Sequence, residues 1–179
     1  MLKSLANPLK LLGIILISLS LISIFQRYSP TRLSFAFDPD SQNISSINSS
    51  QTPQRIQIEN LNINLPIEPS SIKNSKLEIS SRGVSYLTST PLPGQTGNSI
   101  LYGHNYTNIL GNLTKIKPGD IVRIYYTDGS FKDFEVSYTL EVSPKDSKVL
   151  ENSTDTRITL YTCSGFLDTK RFVAVAISN

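Results

Sequence analysis

The chain has one cysteine, one histidine and no tryptophan. A single cysteine excludes an internal disulfide. One Cys and one His cannot build the usual Cys/His zinc site, which takes four ligands. The body of the chain also lacks a basic excess. Of 17 lysines and arginines, Lys3, Lys10, Arg27 and Arg32 precede the first acid, Asp38. The remainder carries 13 basic against 14 acidic residues, so the pI near 9.0 belongs to the N-terminus. No basic patch argues for nucleic acid. No internal repeat and no long amphipathic helix is legible.

What is present begins with Leu11–Phe25, an uncharged apolar run bounded by Lys10 and Arg27. The residues between those two charges span roughly 24 Å as a helix, short of the ~30 Å hydrocarbon core. Snorkelling of Lys10 and Arg27 covers the difference. A secretory signal reading competes, but the only downstream small-x-small site, Ser34-Phe35-Ala36, lies beyond Arg27, Pro30 and Arg32. The expectation is an uncleaved transmembrane helix within residues 1–37. The balance of flanking positive charge puts the rest of the chain outside the cytoplasm. Residues 38–54 are rich in Ser, Asn and Gln and read as a flexible linker.

From Arg55 the pattern changes to short apolar segments divided by turn residues. Arg55–Glu59, Leu61–Leu65, Lys76–Ile79, Ser99–Tyr102, Ile121–Tyr126, Phe131–Tyr138, Arg157–Thr162 and Arg171–Ile177 are predicted strands. Asp128-Gly129 predicts a hairpin between two of them. Helical turns are predicted near Ile109–Lys115 and Asp146–Glu151. Residues 55–179 thus form a mainly β domain, a closed barrel or sandwich.

Three residues could carry chemistry. Alternation along Ile158–Cys163 sets Ile158, Leu160 and Thr162 on one face and Thr159, Tyr161 and Cys163 on the other. If the aliphatic face meets the core, Cys163 ends its strand on the opposite face, followed by Ser164-Gly165. His104 also follows a short apolar strand, after Gly103. Arg171 opens the last strand eight residues beyond Cys163, so a hairpin returns it close to the thiol. A free thiol has a pKa near 8.5, and a neighbouring cation favours the thiolate. An imidazole can protonate a departing amine. Arginine suits a developing oxyanion. Each residue also has a plainer reading. Cys163 could be an inert buried thiol, His104 an idle loop residue, and Arg171 a strand-edge partner of Asp168. Lys170 rivals Arg171.

In order, these segments resemble the sortase family. Its T-L-x-T-C nucleophile motif matches Thr159-Leu160-Tyr161-Thr162-Cys163. Its glycine-rich turn, strand and Gly-His match Leu92–Asn98, Ser99–Tyr102 and Gly103-His104. The arginine that opens its next strand matches Arg171, and Leu113–Val122 is similar to its K-x-G-D-x-V segment. The resemblance covers roughly 55–179. It implies an eight-stranded β-barrel with one or two short helices. It also implies a cysteine transpeptidase that cleaves an LPxTG-like sorting signal between Thr and Gly. A thioacyl enzyme at Cys163 would pass the protein to an amine of the cell wall or of another surface protein, such as a pilin lysine. His104 would protonate the leaving amine, Arg171 would stabilise the oxyanion, and Thr162 and Ser164 would contact the peptide. No cofactor is implied, and no acidic cluster suggests the calcium site of some relatives. Asn105 stands where many relatives carry arginine. A short Cys-to-Arg loop and no hydrophobic span after the last strand fit the sortase A, D or E types rather than pilin-polymerising class C. The competing expectation is an anchored extracytoplasmic β-domain that binds a surface partner without catalysis. It predicts a buried Cys163 and a distant His104.

Overall fold

The computed structural model describes residues 6–27, 51–73 and 76–178. They fall into two units, one N-terminal and helical, the other a β-domain. Residues 28–37 and the expected linker over 38–50 lie outside the described residues, and the linker's last two residues, Pro53 and Gln54, instead open the first strand of the β-domain.

The helical unit contains α1, Ala6–Arg27. Pro8 sits in its first turn, where a missing N–H costs nothing. Ser18 returns its hydroxyl to the carbonyl of Ile14, 2.9 Å away, so this polar group is satisfied within the helix. Leu11, Ile14, Leu16, Ile17, Leu21 and Phe25 are all exposed, and no polar face opposes them. Among the described residues, however, no helix is long and apolar enough to cross a membrane. The expected spanning helix is therefore not met. The uncharged stretch between Lys10 and Arg27 is the physical reason, being about four residues short of the ~20 that a bilayer needs.

The β-domain is a closed barrel. Its strands are β1 (Pro53–Ile58), β2 (Ile63–Ser70), β5 (Val84–Leu87), β6 (Gly97–Tyr102), β7 (Ile121–Tyr126), β8 (Phe131–Val142), β9 (Thr156–Ser164) and β10 (Lys170–Ile177). Around the barrel they run β1-β2-β5-β6-β9-β10-β8-β7, and β7 returns to β1. The remaining strands, β3 (Ile72–Lys73) and β4 (Lys76–Leu77), pair only with each other. Most neighbours are antiparallel, but β2–β5 and β6–β9 are parallel. The hairpin at Asp128-Gly129 forms as predicted. Gly129 takes φ 83, and the Asp128 carboxylate accepts from the Ser130 amide at 2.9 Å. The predicted helical turns are 3-10 turns, Gly111–Lys115 and Ser147–Leu150.

Val84–Leu87 forms a strand that the sequence pattern does not predict. It is four residues long and buried on both faces, so no alternation marks it. β2 runs to Ser70 through Pro66 and Pro69, residues that argue against a strand.

The barrel interior holds one apolar cluster with contributions from every strand, including Ile56, Ile63, Val84, Leu101, Ile124, Phe134, Leu160 and Ala174. Each of the larger side chains contributes about 1.5–3 kcal/mol on burial, and Ala174 less. A second cluster covers the outer faces of β6, β9 and β10. It contains Ile100, Tyr102, Tyr161, Cys163, Val173 and Val175, under Leu77, Leu87 and Val142. These three strands are therefore covered on both sides, which corrects the reading of Cys163. The thiol does lie on the face opposite the interior, but that face is buried as well.

Candidate active site

The site is assembled where β6, β9 and β10 end together. The parallel register pairs Ile100 with Thr159, Leu101 with Leu160 and Tyr102 with Tyr161. Gly103 continues it. Its amide donates to the Tyr161 carbonyl at 3.3 Å, and its own carbonyl accepts the Thr162 hydroxyl at 2.8 Å. A Cβ on Gly103 would come within 3.1–3.2 Å of Leu110 and Ile109, so glycine lets the chain pass closely there. His104 is the next residue after this Gly103 contact. On the other side of β9, the antiparallel register sets Arg171 directly opposite Cys163. Neighbouring strands lie about 4.8 Å apart. The fold thus brings His104, Cys163 and Arg171 onto three adjacent chain segments.

His104 is held by a compact turn. Its carbonyl accepts the Leu110 amide at 3.0 Å, and the Tyr106 carbonyl accepts the amides of Ile109 and Gly111 at 2.9 and 2.8 Å. Gly111 is required for this closure. A Cβ there would lie 2.8 Å from the carbonyl oxygens of both Asn105 and Tyr106. The imidazole stacks on the Tyr106 ring, with centroids 4.8 Å apart and planes 6° apart. Burial holds its pKa below the ordinary histidine value of 6.5, while the Asp168 carboxylate pulls the other way. Sequence reasoning did not find Tyr106, and nothing in its local pattern distinguishes it.

Cys163 is 4% exposed and Arg171 3% exposed. The buried guanidinium donates through Nη1 to the carbonyls of Asp168 (3.1 Å) and Lys170 (2.9 Å). Its charge reaches Tyr161, lowering a hydroxyl pKa that burial, foremost, and then the charges of Tyr102 and Cys163 hold well above the usual tyrosine range. Lys170, the rival cation, is exposed and paired with Glu141 at 3.1 Å. Its ammonium, more than the Ser164 hydroxyl, holds the Glu141 carboxyl below the usual range.

The two expected peptide contacts sit differently. Thr162 is fully buried on the interior face, with its hydroxyl engaged by Gly103. Ser164, also buried, ends β9 opposite Lys170. Beyond it the chain turns sharply, with Gly165, Leu167 and Asp168 at φ 75, 53 and 57. Phe166 is 83% exposed beside this turn and Leu167 56%. Among the described residues, no three of His, Cys, Asp and Glu gather as metal ligands would.

Residues 56–178 match the sortase domain family. The chain belongs to the sortase family. It is 28% identical to sortase A of Bacillus anthracis over 133 residues, covering 72% of this chain and 60% of that protein. It is 38% identical to sortase A of Listeria monocytogenes over 84 residues, covering 44% of this chain and 37% of that one. The chain thus spans three fifths or less of the curated relatives it matches. In fold it resembles a lid mutant of sortase A from Corynebacterium diphtheriae, with TM-score 0.62 and 24% identity, over 77% of this chain and 84% of that one.

Proposed function

We propose that this protein is a cysteine transpeptidase acting on surface proteins that carry a C-terminal LPxTG-like sorting signal. The observation that carries the reading is the register at the end of β9, where Arg171 opposes Cys163 and Gly103, the residue before His104, bonds to Tyr161 and Thr162.

In this reading the imidazole, with its pKa lowered, begins neutral and accepts the Cys163 proton as sulfur attacks the Thr carbonyl. Arg171 supplies fixed positive charge for the tetrahedral oxyanion. The intermediate collapses as the Thr–Gly bond breaks, and His104 returns the proton to the departing glycine amine. That leaves a thioester on Cys163. An amine of a cell-wall precursor or a pilin lysine then attacks it, His104 takes the surplus proton, and the thiolate departs. The scheme uses side chains of this chain alone and calls on neither cofactor nor calcium. Because Cys163 is 4% exposed, the residues that cover it must shift for the peptide to reach it. Ser164 is then the nearer peptide contact. Thr162 would have to break its bond to Gly103 to become one.

We also propose that α1 holds the chain at the cell membrane, with the β-domain outside the cytoplasm. Its apolar residues face outward all round, a surface suited to lipid rather than water.

The buried thiol is what the non-catalytic surface-binding reading expects, but that reading also expects a distant His104. Incubating the full chain with an LPxTG peptide and an amine separates the two. Catalysis predicts an amine-exchanged peptide, lost in Cys163→Ala. Exchange that persists in that variant would overturn the mechanism, and release of free acid alone would make the protein a peptidase.

A further inference from the structure

Asp168 joins both halves of the candidate site. Its carboxylate accepts from the side-chain amide of Asn105 at 2.9 Å, and Asn105 directly follows His104. Its backbone carbonyl accepts from Arg171 Nη1 at 3.1 Å. The segment that carries it is unusual. Leu167 and Asp168 are consecutive non-glycine residues at positive φ, a conformation that persists only where the surroundings over-determine it. Local bonds contribute, from the amides of Asp168 to Gly165 (3.1 Å) and of Thr169 to Phe166 (3.3 Å). The Asn105 bond ties the turn directly to the histidine segment.

The geometry points to the Asn105–Asp168 pair as a positioning latch that holds His104 and Arg171 in one arrangement around Cys163. The inference rests on the transpeptidase reading for its effect on catalysis, but not for its structural content. The sequence departure at Asn105 then has a use, since its amide reaches across to the loop that precedes the arginine.

The test uses the full chain and two readouts, amide hydrogen exchange and amine-transfer kinetics. Asn105→Ala should speed exchange at the Asp168 and Thr169 amides about tenfold, the equivalent of ~1.4 kcal/mol. Asn105→Asp, which sets two carboxylates together, should speed it more. The exchanged pair N105D/D168N restores a donor and an acceptor with the same net charge, and should return exchange to the parent rate. Asp168→Asn alone keeps an acceptor and tolerates positive φ, so its effect should be small. In turnover, Asn105→Ala should lose about tenfold in kcat with KM little changed, and the exchanged pair should regain it. Unchanged exchange in Asn105→Ala, or an exchanged pair no better than Asn105→Asp, overturns the latch whatever the activity. An inactive parent chain whose exchange follows the expected pattern instead overturns the functional reading and leaves the latch standing.

Discussion

Replacing Thr162 with valine tests how the barrel fixes its histidine segment. The Thr162 hydroxyl is buried and donates to the Gly103 carbonyl at 2.8 Å. Valine keeps the shape but removes the donor, leaving a buried carbonyl short of this partner. That costs about 1–3 kcal/mol. For a domain of this size each kcal/mol lowers Tm by roughly 3–5 °C, so a fall of roughly 3–15 °C is expected. Thr162→Ser keeps the hydroxyl and loses one methyl, worth about 0.8 kcal/mol in transfer. The chain has eight tyrosines and no tryptophan, so thermal unfolding followed by far-UV circular dichroism is the suitable assay. Valine should be the more destabilising of the two. Because Gly103 leads into His104, valine should also reduce kcat. If serine costs as much as valine, or valine costs nothing, the Thr162–Gly103 bond does not hold this segment and the argument from it fails.

Gly111→Ala forces a methyl to within 2.8 Å of two backbone oxygens. A loss of about 1–3 kcal/mol, measured by denaturation, is the expected cost of such overpacking. Phe134 is fully buried in the barrel interior, and Phe134→Ala should cost about 3–5 kcal/mol in the same assay. His104 has its pKa held below 6.5, chiefly by burial. The unfolded chain therefore binds the proton more readily, and stability falls as pH drops below 6.5 toward the folded value. His104→Gln should flatten that part of the stability–pH curve, and an unaltered slope would count against a buried neutral imidazole. Arg171→Lys keeps the charge but not the planar set of donors, and a hundredfold loss in kcat/KM is about what one oxyanion donor supplies.

The barrel was legible from its strongest strands. Ile121–Tyr126, the Asp128-Gly129 turn and the last two strands carry clear alternation or turn chemistry. β5 was not legible, because it shows four buried positions in a row, and of β2 only the start was, because Pro66 and Pro69 interrupt the strand signal of its second half. The order Gly-His, Thr-Cys and Arg pointed to three segments that the register does bring side by side. Burial around them could not be read. Alternation distinguishes two faces, but it does not say that residues as distant as Leu77 and Val142 cover the second one. For the same reason Tyr106 and Asp168 escaped notice as neighbours of His104. Both come from loops, where side-chain partners depend on how separate turns meet.

The central claim is that Cys163 becomes an acyl carrier. The most direct measurement is the intact mass of the full chain after brief exposure to an LPxTG peptide without added amine, followed by peptide mapping. The expected adduct equals the peptide's N-terminal acyl fragment, is confined to Cys163, is discharged by hydroxylamine and is absent in Cys163→Ala. An unmodified Cys163 in a sample that nonetheless cleaves the peptide would contradict it.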